Sequence, residues 1–273
     1  SYFLGYILIL NYQMRIANSQ SLHPQIPQFS VQHTPTPSRL TGQSDPLWIL
    51  CNPWPFFPGL YIMPPMNTSR YRQLNTALRE RFGCRVQKVT LDAGLTCPNR
   101  DGSVGSGGCA YCNPLGSGTG LSTQYSIAEQ LERGKKRLRS RYRAKKFIAY
   151  FQSFSNTYGP LDTLKRIYLE ALGVEDVVGL AIGTRPDCVP DSVLDLLTEL
   201  HQRTYLWVEY GLQSIHDNTL KLINRGHDFA TFVDAVARTR KRGLDICVHI
   251  ILGLPGENKE DMLDKLFLQV VKE

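Results

Sequence analysis

The stretch Cys97-Pro-Asn-Arg-Asp-Gly-Ser-Val-Gly-Ser-Gly-Gly-Cys109-Ala-Tyr-Cys112 decides how the rest of the chain is read. Its three cysteines are separated by eleven residues and then by two. The Cys-x-x-Cys half can set two thiolates on one metal or cluster. The longer half carries Gly102, Gly105, Gly107 and Gly108, which let the backbone curl round a bulky inorganic group and return a third thiolate to it. Structural zinc takes four ligands, and an ordinary iron–sulfur cube takes four cysteines. A cube held by three leaves one iron open to a small molecule. The other reading is a zinc ribbon completed by Cys84 or a more distant residue. A second Cys-x-x-Cys, which would favour zinc, is absent.

At 273 residues the chain can bury one large α/β core or two smaller ones. Seven cysteines, three of them clustered, suit metal binding in a reducing compartment rather than a disulfide scaffold, and so a cytoplasmic location. Cys51, Cys84, Cys188 and Cys247 are scattered and read as small buried hydrophobes. The net charge of +7 is uneven. Residues 133–146, which open with Arg133 and close with Lys146, hold nine Lys or Arg and no acid, so the remainder sums to −2. The protein is a near-neutral globule carrying one basic element.

Residues 1–65 differ from the rest. They hold three charged residues, ten of the sixteen prolines and ten aromatics. Residues 1–10 are apolar but too short to span a bilayer and lack a basic leader, and residues 24–65 read as disordered. The expectation is a disordered or non-native extension over 1–65. The working domain is expected over 66–273, opening at Met66 and incomplete at its C-terminus.

From residue 71 onward strand and helix signals alternate. Helices are expected over 71–82 with a stop near Gly83, after the capping box Ser126-Ile-Ala-Glu129, over 161–172, over 191–201, around Phe229, Phe232, Val233 and Val236, and from about Asn258. Strands are expected over 87–92, 147–151, 177–182, 205–210 and 245–252. This alternation argues for parallel strands with crossover helices. Each strand is followed by polar or glycine-rich sequence, which favours a barrel with its site at the C-terminal ends of the strands over an open doubly wound sheet. Gly116-Ser-Gly-Thr-Gly120 reads as a flexible loop, since no strand precedes it directly.

Five segments in order carry a resemblance: the cysteine loop itself, Gly183-Thr-Arg-Pro-Asp187, Val208-Glu-Tyr-Gly-Leu-Gln-Ser214, Asn224-Arg-Gly-His227 and His249-Ile-Ile-Leu-Gly-Leu-Pro-Gly-Glu257. Together they resemble the radical S-adenosylmethionine (SAM) superfamily, and more narrowly the uncharacterised YhcC-type family, a relative of the Elongator catalytic subunit. The resemblance covers about 66 to the C-terminus. It implies an α/β fold, a partial (β/α) barrel of the radical SAM type. Because such barrels usually have a sixth strand, the chain is also expected to be C-terminally truncated.

The same resemblance implies a [4Fe–4S] cluster on Cys97, Cys109 and Cys112, with SAM on the open iron and Tyr111 against cluster and adenine. Many superfamily members support the methionine amine with a Gly-Gly-Glu after the second strand. Here Gln152 or Ser153 would have to replace it. Glu209 and Gln213 are candidates for ribose or methionine contacts, Arg225 for the methionine carboxylate, and Gly253 for close passage by adenine. Arg185 has two readings, a cofactor contact or a cap for the helix that follows. His216, His227 and His249 read as hydrogen-bonded scaffold residues. The implied reaction is reductive cleavage of SAM to a 5′-deoxyadenosyl radical that takes hydrogen from a substrate, with a flavodoxin or ferredoxin as electron donor. No acid/base dyad is needed to start this reaction, and no Ser/His/Asp pattern stands out in the sequence.

The basic run is open to a solvated helix face or to an RNA-binding surface. The Elongator relative makes transfer RNA (tRNA) the expected substrate, bound through Lys135, Lys136, Arg139 and Arg143 projecting away from the core. No membrane association is expected. The rival from another class is a non-enzymatic RNA-binding module holding zinc or a cluster.

Overall fold

The structure is a computed structural model that describes residues 73–116 and 124–266. The 1–65 extension, the segment 66–72, the glycine-rich residues 117–120 and the chain after 266 lie outside those residues. The described elements run α1 (Leu74–Phe82), β1 (Val86–Leu91), α2 (Ile127–Tyr142), β2 (Lys146–Phe151), α3 (Leu161–Leu172), β3 (Val177–Thr184), α4 (Asp191–His201), β4 (Tyr205–Gln213), α5 (Asp217–Leu222), α6 (Phe229–Lys241), β5 (Asp245–Ile250) and α7 (Lys259–Leu266). All five strands are parallel, in the order β1-β2-β3-β4-β5.

That order separates the two α/β architectures. A doubly wound sheet reverses its strand order and carries helices on both faces. An order that never reverses, with crossovers of one hand, puts every crossover helix on the same face. Here α2, α3, α4 and α6 supply Leu131, Leu164, Leu194 and Phe232 to one cluster with Val89, Ala149, Ile182, Val208 and Val248 of the strands. The alternate strand residues, Val86, Ile148, Tyr150, Ala181, Tyr205, Trp207 and Cys247, form a second cluster on the concave face. Leu78 of α1, with Leu74 and Phe82 beside it, closes that face at the N-terminal end of the strands. The result is a partial barrel.

Local signals set most element ends. Ser126 accepts from the Glu129 backbone N–H at 3.2 Å, and Glu129 accepts from the Ser126 N–H at 2.8 Å, so the expected capping box starts α2. α1 ends at Gly83 in the left-handed conformation. β4 runs three residues past its expected end. The β4–β5 register shifts between Gly211 and Gln213, and Gln213 has φ +73°. β5 stops at Ile250, and Ile251 donates instead to the Gln213 carbonyl at 3.0 Å. The short helix α5 and the 3-10 turn Pro186–Cys188 were not anticipated, because neither is long enough to show an apolar stripe.

The expectation for α2 needs correction at two residues. Ile127, Leu131 and Leu138 are buried, but so is Lys135, with 2 % of its side chain exposed. Its ammonium donates to Glu132 and to the Glu175 carbonyl, each at 2.6 Å. Arg139 pairs with Asp176. Lys135 therefore does not project away from the core, and Arg139 already holds a carboxylate. The long (CH₂)₄ stem lets a lysine lie along an apolar stripe and bring its charge to acceptors at the edge.

Candidate functional site

The cysteine loop leaves β1 at the C-terminal end of the sheet and folds on itself through an Asp101–Ser106 bridge. Its three cysteines are in no disulfide. The segment 224–226 beyond α5 interlocks with it. Asn99 Nδ2 donates to the Asn224 carbonyl at 2.6 Å, and Asn224 Nδ2 donates to the Gly108 carbonyl at 2.9 Å. The Ala110 N–H donates to the Ile223 carbonyl at 2.9 Å. Gly226 is required here, since a Cβ would sit 2.9 Å from Asn99 Oδ1 and its φ is +78°. The loop is thus clamped to the barrel rim by backbone bonds as well as side chains.

Two of the cysteines lie beside a guanidinium. Arg225 donates to Cys109 Sγ at 3.5 Å and Arg100 to Cys112 Sγ at 3.3 Å. Burial of Cys109 pushes its thiol pKa up, but the Arg225 charge and hydrogen bonds from Arg225, Tyr111 and Asn99 bring it below the ordinary value. Burial dominates at Tyr111 and pushes its phenol up, so it stays protonated as a donor to Cys109. Its ring packs on Leu220, Ile223 and Leu254.

Arg185 and Arg225 are both buried. Arg185 grips Asp187 through two bonds of 2.8 and 2.6 Å and donates to the Arg225 carbonyl at 2.8 Å. It therefore braces the turn before α4 and ties it to the segment 224–226. Arg225 also donates to the Gly211 carbonyl. Its Nε is a buried donor with no protein partner among the described residues. His227 beside it is held neutral, its pKa lowered to about 4 by burial and then by the Arg225 charge.

The remaining expected residues spread along the rim and the concave face. Gln152 and Ser153 follow β2, and Ser153 is buried. Phe154, with φ +63°, lies under the Arg100 guanidinium, 5.7 Å from its ring centroid. Gln213 sits at the β4 bulge. Gly253 has φ +82°, and a Cβ there would meet nothing within 4 Å, so the backbone conformation and not crowding calls for glycine.

Glu209 lies deeper, on the concave face, with its side chain fully buried. Its carboxylate accepts from Trp207 Nε1 at 2.7 Å, His249 Nε2 at 2.8 Å, Lys88 Nζ at 2.9 Å and the Tyr150 hydroxyl. Burial alone would raise its pKa. The His249 hydrogen bond and the Lys88 charge reverse this and hold it at about 2. Sequence reasoning missed Arg100, Asn99, Lys88 and Trp207 as site residues. The only signal for Lys88 was a lone cation at an inward position of an apolar strand.

A partial parallel barrel with three cysteines on the loop after its first strand is the architecture of a radical SAM core. The chain belongs to the radical SAM superfamily, whose sequence profile it matches over residues 99–268. Within it the chain is of the YhcC type, related to the Elongator core. It is 48% identical over 203 residues to the uncharacterised YtqA of Bacillus subtilis, a match covering 74% of this chain and 63% of that one. It is 46% identical over 190 residues to YhcC of Escherichia coli K12, covering 69% and 60% respectively. A 93-residue stretch is 33% identical to a tRNA uridine(34) acetyltransferase of Methanocaldococcus infernus, covering 34% and 17%. The chain thus spans somewhat under two thirds of the length of the first two relatives.

The superfamily's cofactors are a [4Fe–4S] cluster and SAM. The residues present suit them. Arg225, Tyr111 and Asn99 lower the Cys109 pKa, which favours the thiolate that binds iron, and Arg100 donates to Cys112 Sγ at 3.3 Å. Arg225 Nε is an orphaned cationic donor next to Cys109. No helix among the described residues is long and apolar enough to cross a membrane.

Proposed function

We propose that Cys97, Cys109 and Cys112 anchor the cluster and that this radical SAM enzyme acts on a structured RNA, with tRNA as the substrate class. The observation that carries the cluster assignment is one clamped loop holding three cysteines, with Arg225 donating to Cys109 Sγ and Arg100 to Cys112 Sγ. When bound, the cluster supplies the electron that cleaves SAM to methionine and a 5′-deoxyadenosyl radical able to take hydrogen from an unreactive carbon.

The chain's own residues do the positioning. Arg225 lies between the cysteine loop and Gly211 of β4, where its charge suits the methionine carboxylate. Tyr111 and the turn at Gly253 flank the same rim, with Arg185, Gln152, Ser153 and Gln213 as further polar candidates. Glu209 holds Lys88 and His249 in place, and its acceptors are taken up by protein donors. This favours an indirect role for it over a ribose contact. Residues 66–273 are the catalytic core in this reading. The partner is a flavodoxin- or ferredoxin-like reductant, and the location is the cytoplasm, where thiols stay reduced.

Two observations favour RNA. The relative from Methanocaldococcus infernus carries tRNA in its name. The outward face of α2 is basic, and Arg133, Lys136 and Arg139 with Glu132 line a surface groove. The test is anaerobic reconstitution followed by iron and sulfide analysis, SAM cleavage, and identification of retained RNA. A protein that takes up stoichiometric zinc and no iron sinks the reading.

A further inference from the structure

The concave face holds a charged cluster that the cofactor reading does not use. Lys88 comes from β1, Tyr150 from β2, Trp207 and Glu209 from β4, and Cys247 and His249 from β5. The other five side chains meet around the Glu209 carboxylate. Burying a carboxylate and an ammonium costs several kcal/mol each, and a well-packed apolar core is usually as stable. Stability alone therefore does not account for this arrangement on a face otherwise built from Ile148, Ala181 and Tyr205.

A metal is a poor occupant. Ligand atoms of Glu209, Cys247 and His249 do lie within 4.8 Å of one another. Lys88 already supplies the cation, at 2.9 Å from Glu209. Burial and then the Glu209 charge raise the Cys247 thiol, which disfavours the thiolate a metal would need.

The ring geometry says more. Glu209 stays ionised, so the bond from His249 Nε2 requires its proton on Nε2. The ring's other nitrogen, Nδ1, makes no hydrogen bond among the described residues, and the side chain keeps 19% exposure. A buried carboxylate that fixes one imidazole nitrogen as a donor leaves the other as the proton-exchanging atom. His249 is also the register partner of Gly211, whose carbonyl accepts from Arg225, which in turn reaches Cys109. The His249 backbone is therefore linked to the cysteine loop through Gly211 and Arg225.

We propose that Glu209 and His249 form a proton-transfer pair in which His249 Nδ1 exchanges a proton with a polar X–H group, an amine or hydroxyl, of a substrate lying against the concave face. The inference rests on the enzyme reading above. In the forward step the X–H bond breaks with its electron pair left on X, and the proton forms the Nδ1–H bond. The imidazolium charge then faces the Glu209 carboxylate, 2.8 Å from Nε2. The proton leaves to solvent or returns to the product. His249 is the catalytic residue; Glu209 is a positioning residue, held by Lys88, Trp207 and Tyr150. Loss of a hydrogen from a carbon beside X makes X–H more acidic, so this pair suits a substrate whose reacting carbon bears nitrogen or oxygen.

The experiment uses the full reconstituted chain with bulk tRNA from a strain lacking it, read as SAM-dependent change in nucleoside mass. In His249→Gln the amide nitrogen can still donate to Glu209, but nothing replaces Nδ1. We expect wild-type melting temperature and iron content, with product formation down at least about 100-fold. Glu209→Gln keeps an acceptor and loses the charge, and should lower kcat at least about tenfold with little change in KM. Imidazole ¹⁵N spectra of histidine-labelled protein, assigned by the loss of one ring signal in His249→Gln, should show the neutral ring protonated on Nε2. Turnover by His249→Gln within tenfold of wild type, or a neutral ring protonated on Nδ1, overturns the proposal. If wild type binds iron and cleaves SAM but leaves tRNA unchanged, the substrate reading falls and the ring spectrum alone decides the pair.

Discussion

Replacing Arg133, Lys136, Arg137 and Arg143 with Gln tests whether α2 meets a phosphate backbone. The structure chooses these four from the nine cations of 133–146. Lys135 is buried and Arg139 is paired with Asp176. Arg133, Lys136 and Arg137 share the outward stripe of the helix, opposite Leu131 and Leu138, and Arg143 is its exposed cap. Gln has nearly the same helix propensity as Lys or Arg, so each exposed change should alter stability by less than about 0.5 kcal/mol. Each phosphate contact contributes about 0.9 to the slope of log K against log salt, so four contribute about 3.6. Over a fourfold rise in salt that is roughly 2.2 log units, or about 150-fold more affinity lost by wild type than by the variant. The assay is a tRNA titration at several salt concentrations from 50 to 200 mM. Lys135→Met is the control: it should lower the melting temperature and leave the slope unchanged. Equal slopes and affinities for wild type and the quadruple variant refute the reasoning and return this face to a solvated one.

Alanine at Cys97, Cys109 or Cys112 should each abolish iron retention after desalting, while Cys84→Ala, Cys188→Ala and Cys247→Ala keep it. Iron loss in the Cys84 variant would point to a fourth protein ligand. Arg225→Met removes the side-chain donor to the Gly211 carbonyl and one of the donors to Cys109, and should cost about 3 kcal/mol, read as a fall in melting temperature of roughly 6–12 °C. Glu209 is depressed from 4.5 to about 2, so its contribution is complete above pH 4.5 and lost as pH falls toward 2. That loss is roughly 3 kcal/mol and should vanish from the denaturation profile of Glu209→Gln. An unchanged acid limb in that variant would mean the carboxylate is not held ionised by Lys88 and His249.

Features that depend on neighbours along the chain were legible in the sequence. The capping box of α2 joins residues three apart, and the bounds of α3 and α4 follow from apolar positions one helical turn apart. The cysteine loop announced itself by composition and spacing. The failures lie where a partner is distant. Lys135 looked like one more exposed cation because Glu175, whose carbonyl fills its third side, is 40 residues on. Glu209 could be marked as a buried carboxylate needing partners, but its donors are as far as 121 residues away in the chain. Periodicity says which face of an element is apolar. Only the curling of the sheet decides which strands' inward residues meet, and that curling is what brings Lys88 of β1 across to Glu209 of β4.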